Sequence, residues 1–391
     1  MIDSIYVGMS GLAGFSSGLR AIANNTTNLN TPGYKSTSMQ FSDAFYSRSS
    51  SNGGNSGQLG YGLSTAGTAL SFKQGEMRQT GNGLDLAIDG EGLFTLKNPD
   101  GSTAYSRAGQ FHFNADGVLV NAAGAKVLGL DANGVMSEIS IAGMKTQPGK
   151  ASSVLSFNGN VSPASATQNI AGVKVIDAAG GEHTLSVKLT DTSATTAGSW
   201  RVDLLEGSSV VGTGQLVFDN TGRPTAASAK VSMSYTPAGQ ATVPLTLDFS
   251  TDVTSNSSKS VSAINFSKQD GYASADLTST AFDATGVLIL TYANGETAKG
   301  SRLSLSRFDS TATVRAIGDN EYEATDSSGW HAGTAGGAFG SVKSGFVELS
   351  NVDLSQEFSD LVIMQRGYQA SSQVITTANE MLQQLFSMQS K

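Results

Sequence analysis

Apolar residues recur at helical spacing in only two places, and these are the opposite ends of the chain. Over residues 2–29, Ile5, Leu12 and Leu19 recur at seven, and Phe15, Ile22 and Leu29 recur at seven out of phase with them. Near the other end, Leu354, Leu361, Tyr368, Ile375 and Leu382 recur at seven. Met364, Ala378 and Leu385 follow members of that row by three, while Glu357 and Ser371 interrupt it. Both patterns are a/d seams, the mark of helices that pack on other helices. Gly8, Gly11, Gly14 and Gly18 lie inside the first seam. Each costs roughly 1 kcal/mol against Ala in a helix interior, so such a helix is largely unfolded alone in water. It gains order from partners, and Gly14 and Gly18 have the small-residue spacing of close helix contact. The two ends either pair within one chain or form the contact surface of a polymer. The glycines and the low charge favour the polymer, in which identical subunits meeting head to tail build a helical filament.

Between the ends the period changes. Pro32 and Gly33 in "NTPGY" close the first helix, because the residue before Pro turns extended and Gly accepts positive φ. Residues 31–80 read as an extended linker and turn region, with the Ser/Gly/Asn-rich tract at 47–62 as a loop. From 81 the chain reads as strand. "GLFTLKNPDGSTAYS" gives a hairpin around Asn98–Gly101, "GQFHFNADGVLV" another around Asp116-Gly117, and residues 286–308 a third around Asn294-Gly295. Asp353, with Gln356 three residues on, is the expected N-cap of the last helix. The expected fold is multidomain and mainly antiparallel β, with two β domains, and the N- and C-terminal α-helices form a coiled-coil-like core domain. That core is residues 1–30 and 350–391; one β domain is 81–145 with 270–349, and 146–269 is an inserted outer β domain.

Chemistry is thin. Only 14% of the 391 residues are charged, against about a quarter in ordinary domains. The balance of 24 basic and 32 acidic residues, with no basic cluster, excludes a nucleic-acid partner. There is no cysteine, hence no disulfide frame, thiolate metal site or Cys nucleophile. His112, His183 and His331 share no ligand spacing; alternation turns His112 away from Phe111 and Phe113, and the other two stand in turn-like contexts. "DANGVMSE" (131–138) lacks the rest of a calcium loop, and "GNGLDLAIDGEG" (81–92) has Leu where a dinucleotide motif needs its third Gly. Asp85, Asp89 and Glu91 read as solvated turn acids rather than an acid/base pair. No enzyme and no cofactor or metal is expected. No run of roughly 18 apolar residues is present for membrane insertion. The first residues also lack the form of a cleavable secretion signal.

The stretch "NNTTNLNTPGYKS" (24–36) resembles the N-terminal signature of bacterial flagellar axial proteins, the rod and hook group. Asn28, Asn30, Thr31, Pro32, Gly33 and Tyr34 fit it, while Thr26 and Thr27 depart from the usual apolar-small pair. Ser350-Asn351-Val352-Asp353, Gln365-Arg366 and Tyr368-Gln369 resemble the group's C-terminal signature. "GLDLAIDGEGLFTL" and "YSRAGQFHFNADGVLVN" are similar to its shared β segment. Rod members, including the distal rod subunit, are shorter and lack a middle β domain; residues 269–308 resemble the way hook members leave theirs. Cap and length-control proteins do not match at both ends. An adhesin or carbohydrate-binding protein would instead need aromatic clusters on a strand face, and aromatics here are scattered at 7%.

The resemblance implies an extracellular homopolymeric tube that acts as a universal joint passing motor torque from rod to filament. It implies export without a cleaved signal through the flagellar type III apparatus. Rod protein, hook cap and hook–filament junction protein are the implied partners. It also implies subunit contacts along both terminal seams, with the Asn28–Tyr34 stretch as a hinge.

Overall fold

The four glycines that weaken the first helix are where other segments close on it. In the computed structural model, which describes residues 2–44, 46–49, 57–131, 133–257, 263–326 and 328–389, helix α1 spans Ile2–Thr27 and helix α2 spans Leu354–Gln389. They run antiparallel. A Cβ on Gly8 would lie 2.6 Å from Ile375, one on Gly11 2.5 Å from Ser371, and one on Gly18 2.9 Å from Met364. From the other side, a Cβ on Gly367 would lie 2.5 Å from the Phe15 ring. Gly14 faces elsewhere: its Cβ would meet Leu63 at 2.4 Å. Asp353 caps α2 through Oδ1, which accepts from the Ser355 amide at 2.8 Å.

The span 31–80, expected as a linker, is built differently. Thr37–Asp43 pairs antiparallel with Leu63–Leu70, from Thr37 opposite Leu70 to Asp43 opposite Leu63. This ribbon packs on α1, with Ser10 Oγ accepting from the Leu63 amide and Phe15 lying 6.1 Å from Phe41. Of the tract read as a loop, residues 50–56 lie outside the described residues. Its flanks, Tyr46–Ser49 and Gly57–Gly60, pair antiparallel.

The chain divides into two units, one of residues 1–142, 280–290 and 298–391, the other of 143–279 and 291–297. In the first, the hairpin Leu93–Lys97/Thr103–Ser106 sits mid-sheet. Lys126–Leu130 and Thr297–Phe308 join it on one side, Glu321–Ala324 and then Val314–Gly318 on the other. Leu93, Phe94, Thr95 and Leu96 are all buried, so this strand is covered on both faces. The second unit has two four-stranded sheets. One runs Lys230–Tyr235, Val243–Thr254, Val154–Asn160, Ala263–Gln269; the other runs Thr167–Ile176, Glu182–Asp191, Ser199–Glu206, Ser209–Val217. Their alternating apolar residues form one core around Phe157, Trp200, Tyr235 and Phe249. The pairing of Val154–Asn160 with Val243–Thr254 departs from the antiparallel expectation: it is parallel. The intervening chain contains the whole second sheet, which is ample for the crossover a parallel pair requires.

One turn recurs throughout: Asn or Asp, two residues, then Gly at positive φ. Asn114–Gly117, Asn121–Gly124, Asp131–Gly134, Asp177–Gly180, Asp219–Gly222 and Asp283–Gly286 all follow it, with the Gly amide donating to the first residue's carbonyl. The first side chain then accepts from the amide four residues on, as Asp283 Oδ1 does from Val287 at 2.9 Å. In the second hairpin, the controlling residue is therefore Asn114 rather than Asp116.

Candidate functional site

Two features of the first unit bear on assembly: the joint where both helices leave the β structure, and the outer face of α2. At the joint, Gly33 holds φ +73°, and a Cβ there would lie 2.4 Å from the Ala108 amide nitrogen. That close approach carries Tyr34 and Lys35 inward. Lys35 is 1% exposed, and its Nζ donates to Glu348 Oε1 at 2.6 Å and to the Lys73 carbonyl at 2.8 Å. Glu348 Oε2 accepts from Arg107 Nε at 2.8 Å, while the Gly75 amide donates to Oε1 at 2.9 Å. Arg107 also donates to the carbonyls of Gly92 and Ile88. Burial pushes the Lys35 ammonium down from its ordinary value, and the Glu348 charge pulls against this.

A second cluster lies at the helix roots. Asn25 Nδ2 donates to Glu357 Oε1 at 2.8 Å and to the Thr37 carbonyl, and its Oδ1 accepts from Tyr34 Oη and the Thr37 amide. Burial raises the Glu357 carboxyl above its usual value, with Asp360 adding to the rise and the Asn25 amide opposing it. Asn351 completes the joint. It accepts from the Ser36 amide at 2.7 Å and donates to the carbonyls of Ser71 and Lys73.

Many apolar side chains of α2 stand exposed. Ile363 is 61% exposed, Val374 45%, Met381 46%, Leu385 47% and Met388 80%. Their spacings of eleven, seven, four and three residues place them on one helix face. Tyr6 and Met9 on α1 are more than half exposed too. Exposed apolar side chains aligned in this way mark an interaction site. Among the described residues, no three of His, Cys, Asp and Glu are grouped to hold a metal, and no helix is long and apolar enough to cross a membrane.

Comparison with known proteins shows which family the chain resembles. Residues 5–35 match the family described as flagella basal body rod protein, 87–162 the flagellar hook protein FlgE/F/G D1 domain, and 343–388 the flagellar basal body rod FlgEFG protein C-terminal. The flagellar hook protein FlgE of Escherichia coli K12 is 30% identical over 97% of this chain and 98% of its own length. The chain belongs to the flagellar hook protein family. A more distant member, the hook protein FlgE of Treponema pallidum, is 26% identical across 99% of this chain and 100% of its own. The crystal structure of Helicobacter pylori flagellar hook protein FlgE2 shares the fold, with a TM-score of 0.51 at 14% identity, covering 70% of this chain and 99% of that one. Hook-subunit function thus rests on relatives matched end to end rather than on the short signatures alone.

Within this hook-protein chain, the seam residues named from periodicity lie mostly on the inner sides of the helices. Ile22 is buried; Ile5, Leu12, Phe15, Leu19, Leu29, Leu354, Leu361, Met364, Ile375 and Leu382 are half-buried; Tyr368 and Leu385 are exposed. The glycines reading as a subunit contact are spent on contacts within the chain. The stretch expected as a hinge is bonded to its surroundings in this structure. Gly33 and Tyr34 are buried, Thr31 bonds Asn28, and the Pro32 carbonyl accepts from Asn320 Nδ2, leaving only Asn30 exposed. Periodicity missed Lys35, Arg107 and Glu348, because charged residues in strands and turns read as solvated. Asp85, taken for a solvated acid, is likewise only 8% exposed. His183 and His331 lie on strands and bond Asp177 and Asp309.

Proposed function

We propose that subunits of this hook protein join through the outer face of α2, with Ile363, Val374, Met381, Leu385 and Met388 covered by neighbouring copies. The exposed apolar stripe is the observation that supports it most. The helix pair has little core of its own: among the described residues, only Ile22 and Ala378 are fully buried apolar side chains of α1 and α2. Two helices with so little between them need further partners to stay ordered. The half-buried seam residues, among them Leu12, Phe15, Met364 and Ile375, hold the pair together while the stripe stays exposed. Rod protein, hook cap, junction protein and export apparatus are proposed partners on family resemblance, and export without a cleaved signal is proposed on the same ground. The outer β domain is proposed to correspond to the second unit, and the role is structural rather than enzymatic.

The test is polymerisation of purified chain, read by sedimentation and electron microscopy. An Ile363→Asp/Met381→Asp variant is expected to melt like the parent as a monomer and to form no tubes. Tubes of ordinary length from that variant would place the contact elsewhere.

A further inference from the structure

Lys35, Arg107 and Glu348 meet where both helices are rooted. Gly33, whose amide donates to the Glu348 carbonyl at 2.8 Å, lies six residues after the end of α1. Glu348 lies six residues before the start of α2. Glu348 therefore gathers the exits of both helices: its carbonyl takes the Gly33 amide, and its carboxylate takes Lys35, the Gly75 amide and Arg107, while Lys35 also holds the Lys73 carbonyl and Arg107 holds Gly92 and Ile88 of the β structure. Both ion pairs are almost fully buried, with side-chain exposures of 0%/0% and 3%/0%. Among the described residues, every other ion pair has at least one side chain more than a quarter exposed.

A buried ion cluster is a poor device for stability alone, since its desolvation cost rivals its attraction, and apolar residues of similar volume often do as well. Its distinctive property is geometric. A guanidinium fork and a carboxylate accept few orientations, whereas an apolar contact tolerates sliding. The donors here come from segments far apart in the chain: Lys35 and the Gly75 amide meet on Glu348 Oε1, and Arg107 Nε takes Oε2.

We infer that the Lys35–Glu348–Arg107 cluster is a positioning device that fixes the angle between the helix pair and the β sheet of the first unit, so that load passes across the joint without changing it. This rests on the hook-subunit reading, because only a polymer under torque has use for a stiff joint.

The absence of cysteine makes the test clean. Spin labels on Ser372→Cys in α2 and Thr103→Cys in the sheet report the angle as a distance distribution. They are measured in polymer diluted with unlabelled chain. Two variants are compared with the parent: Arg107→Lys, which keeps the charge and loses the fork, and Lys35→Met/Glu348→Gln. The expected result is a distribution at least twofold wider in one or both variants, with the β structure still folded by circular dichroism. A width equal to the parent's in both would overturn the inference. So would loss of β structure in both, which would make the cluster a matter of stability alone. Failure of the parent chain to polymerise would count against the hook-subunit reading instead.

Discussion

At the scale of single residues, charge placement divides into two kinds with opposite expectations. Glu348 is buried between two cations. Glu348→Gln leaves both cations in place without their anion, and breaking a buried pair costs about 3–5 kcal/mol. Urea unfolding of the first unit is expected to show that loss, whereas Glu323→Gln, at the exposed pair with Arg315, is expected to change little. Asp270 is of the other kind. Burial raises its carboxyl, but the Ser153 hydroxyl, the Val154 and Ser153 amides and Lys150 outweigh this and hold it at about 2 instead of 3.8. A carboxyl depressed in the folded state contributes stability that is complete above its unfolded value and lost as pH falls towards the folded one. Melting of the second unit is expected to be flat from neutrality to about pH 4. It should then fall towards pH 2, and less steeply in Asp270→Asn.

At the scale of elements, glycine in α1 is explained by what faces it. Gly18 faces the flexible Met364 side chain, and Gly367 faces the Phe15 ring, with a Cβ 2.9 Å and 2.5 Å away respectively. Gly18→Ala is expected to be tolerated, because Met364 can yield and Ala gains roughly 1 kcal/mol of helix propensity. Gly367→Val is expected to separate the helices and abolish polymerisation while leaving the melting of the β structure unchanged.

Both helices, the hairpin at Asn98–Gly101 and the turn at Asn294-Gly295 were legible in the sequence, because each is a local signal with its own period or its own turn chemistry. The ribbon of Thr37–Asp43 with Leu63–Leu70 was not: its burial pattern is mostly exposed, so no alternation betrays it. The joint was half legible. Pro32 and Gly33 announced a turn, but nothing local says that Lys35 will meet a carboxylate 313 positions away. Of the exposed stripe, the a/d seam contains Leu385 alone; Ile363, Val374, Met381 and Met388 fall outside its phase.

For the whole molecule, the two kinds of structure differ in how they are held. The second unit has a continuous core of Phe157, Trp200, Phe249 and their neighbours. Among the described residues, the helix pair rests on glycine contacts, the buried apolar side chains Ile22 and Ala378, and its roots in the joint. On this account the β structure is stable in the monomer, and the helices become ordered when neighbouring copies cover α2. Limited proteolysis, with mass spectrometry of the fragments, compares monomer and polymer most directly. The account predicts that in the monomer α1 and α2 are cut away quickly, leaving a resistant fragment that begins near Gly33 and ends near Glu348, and that the same sites are protected in the polymer. Helices that resist cleavage equally in monomer and polymer would contradict it, for the outer face of α2 would then have no part in holding subunits together.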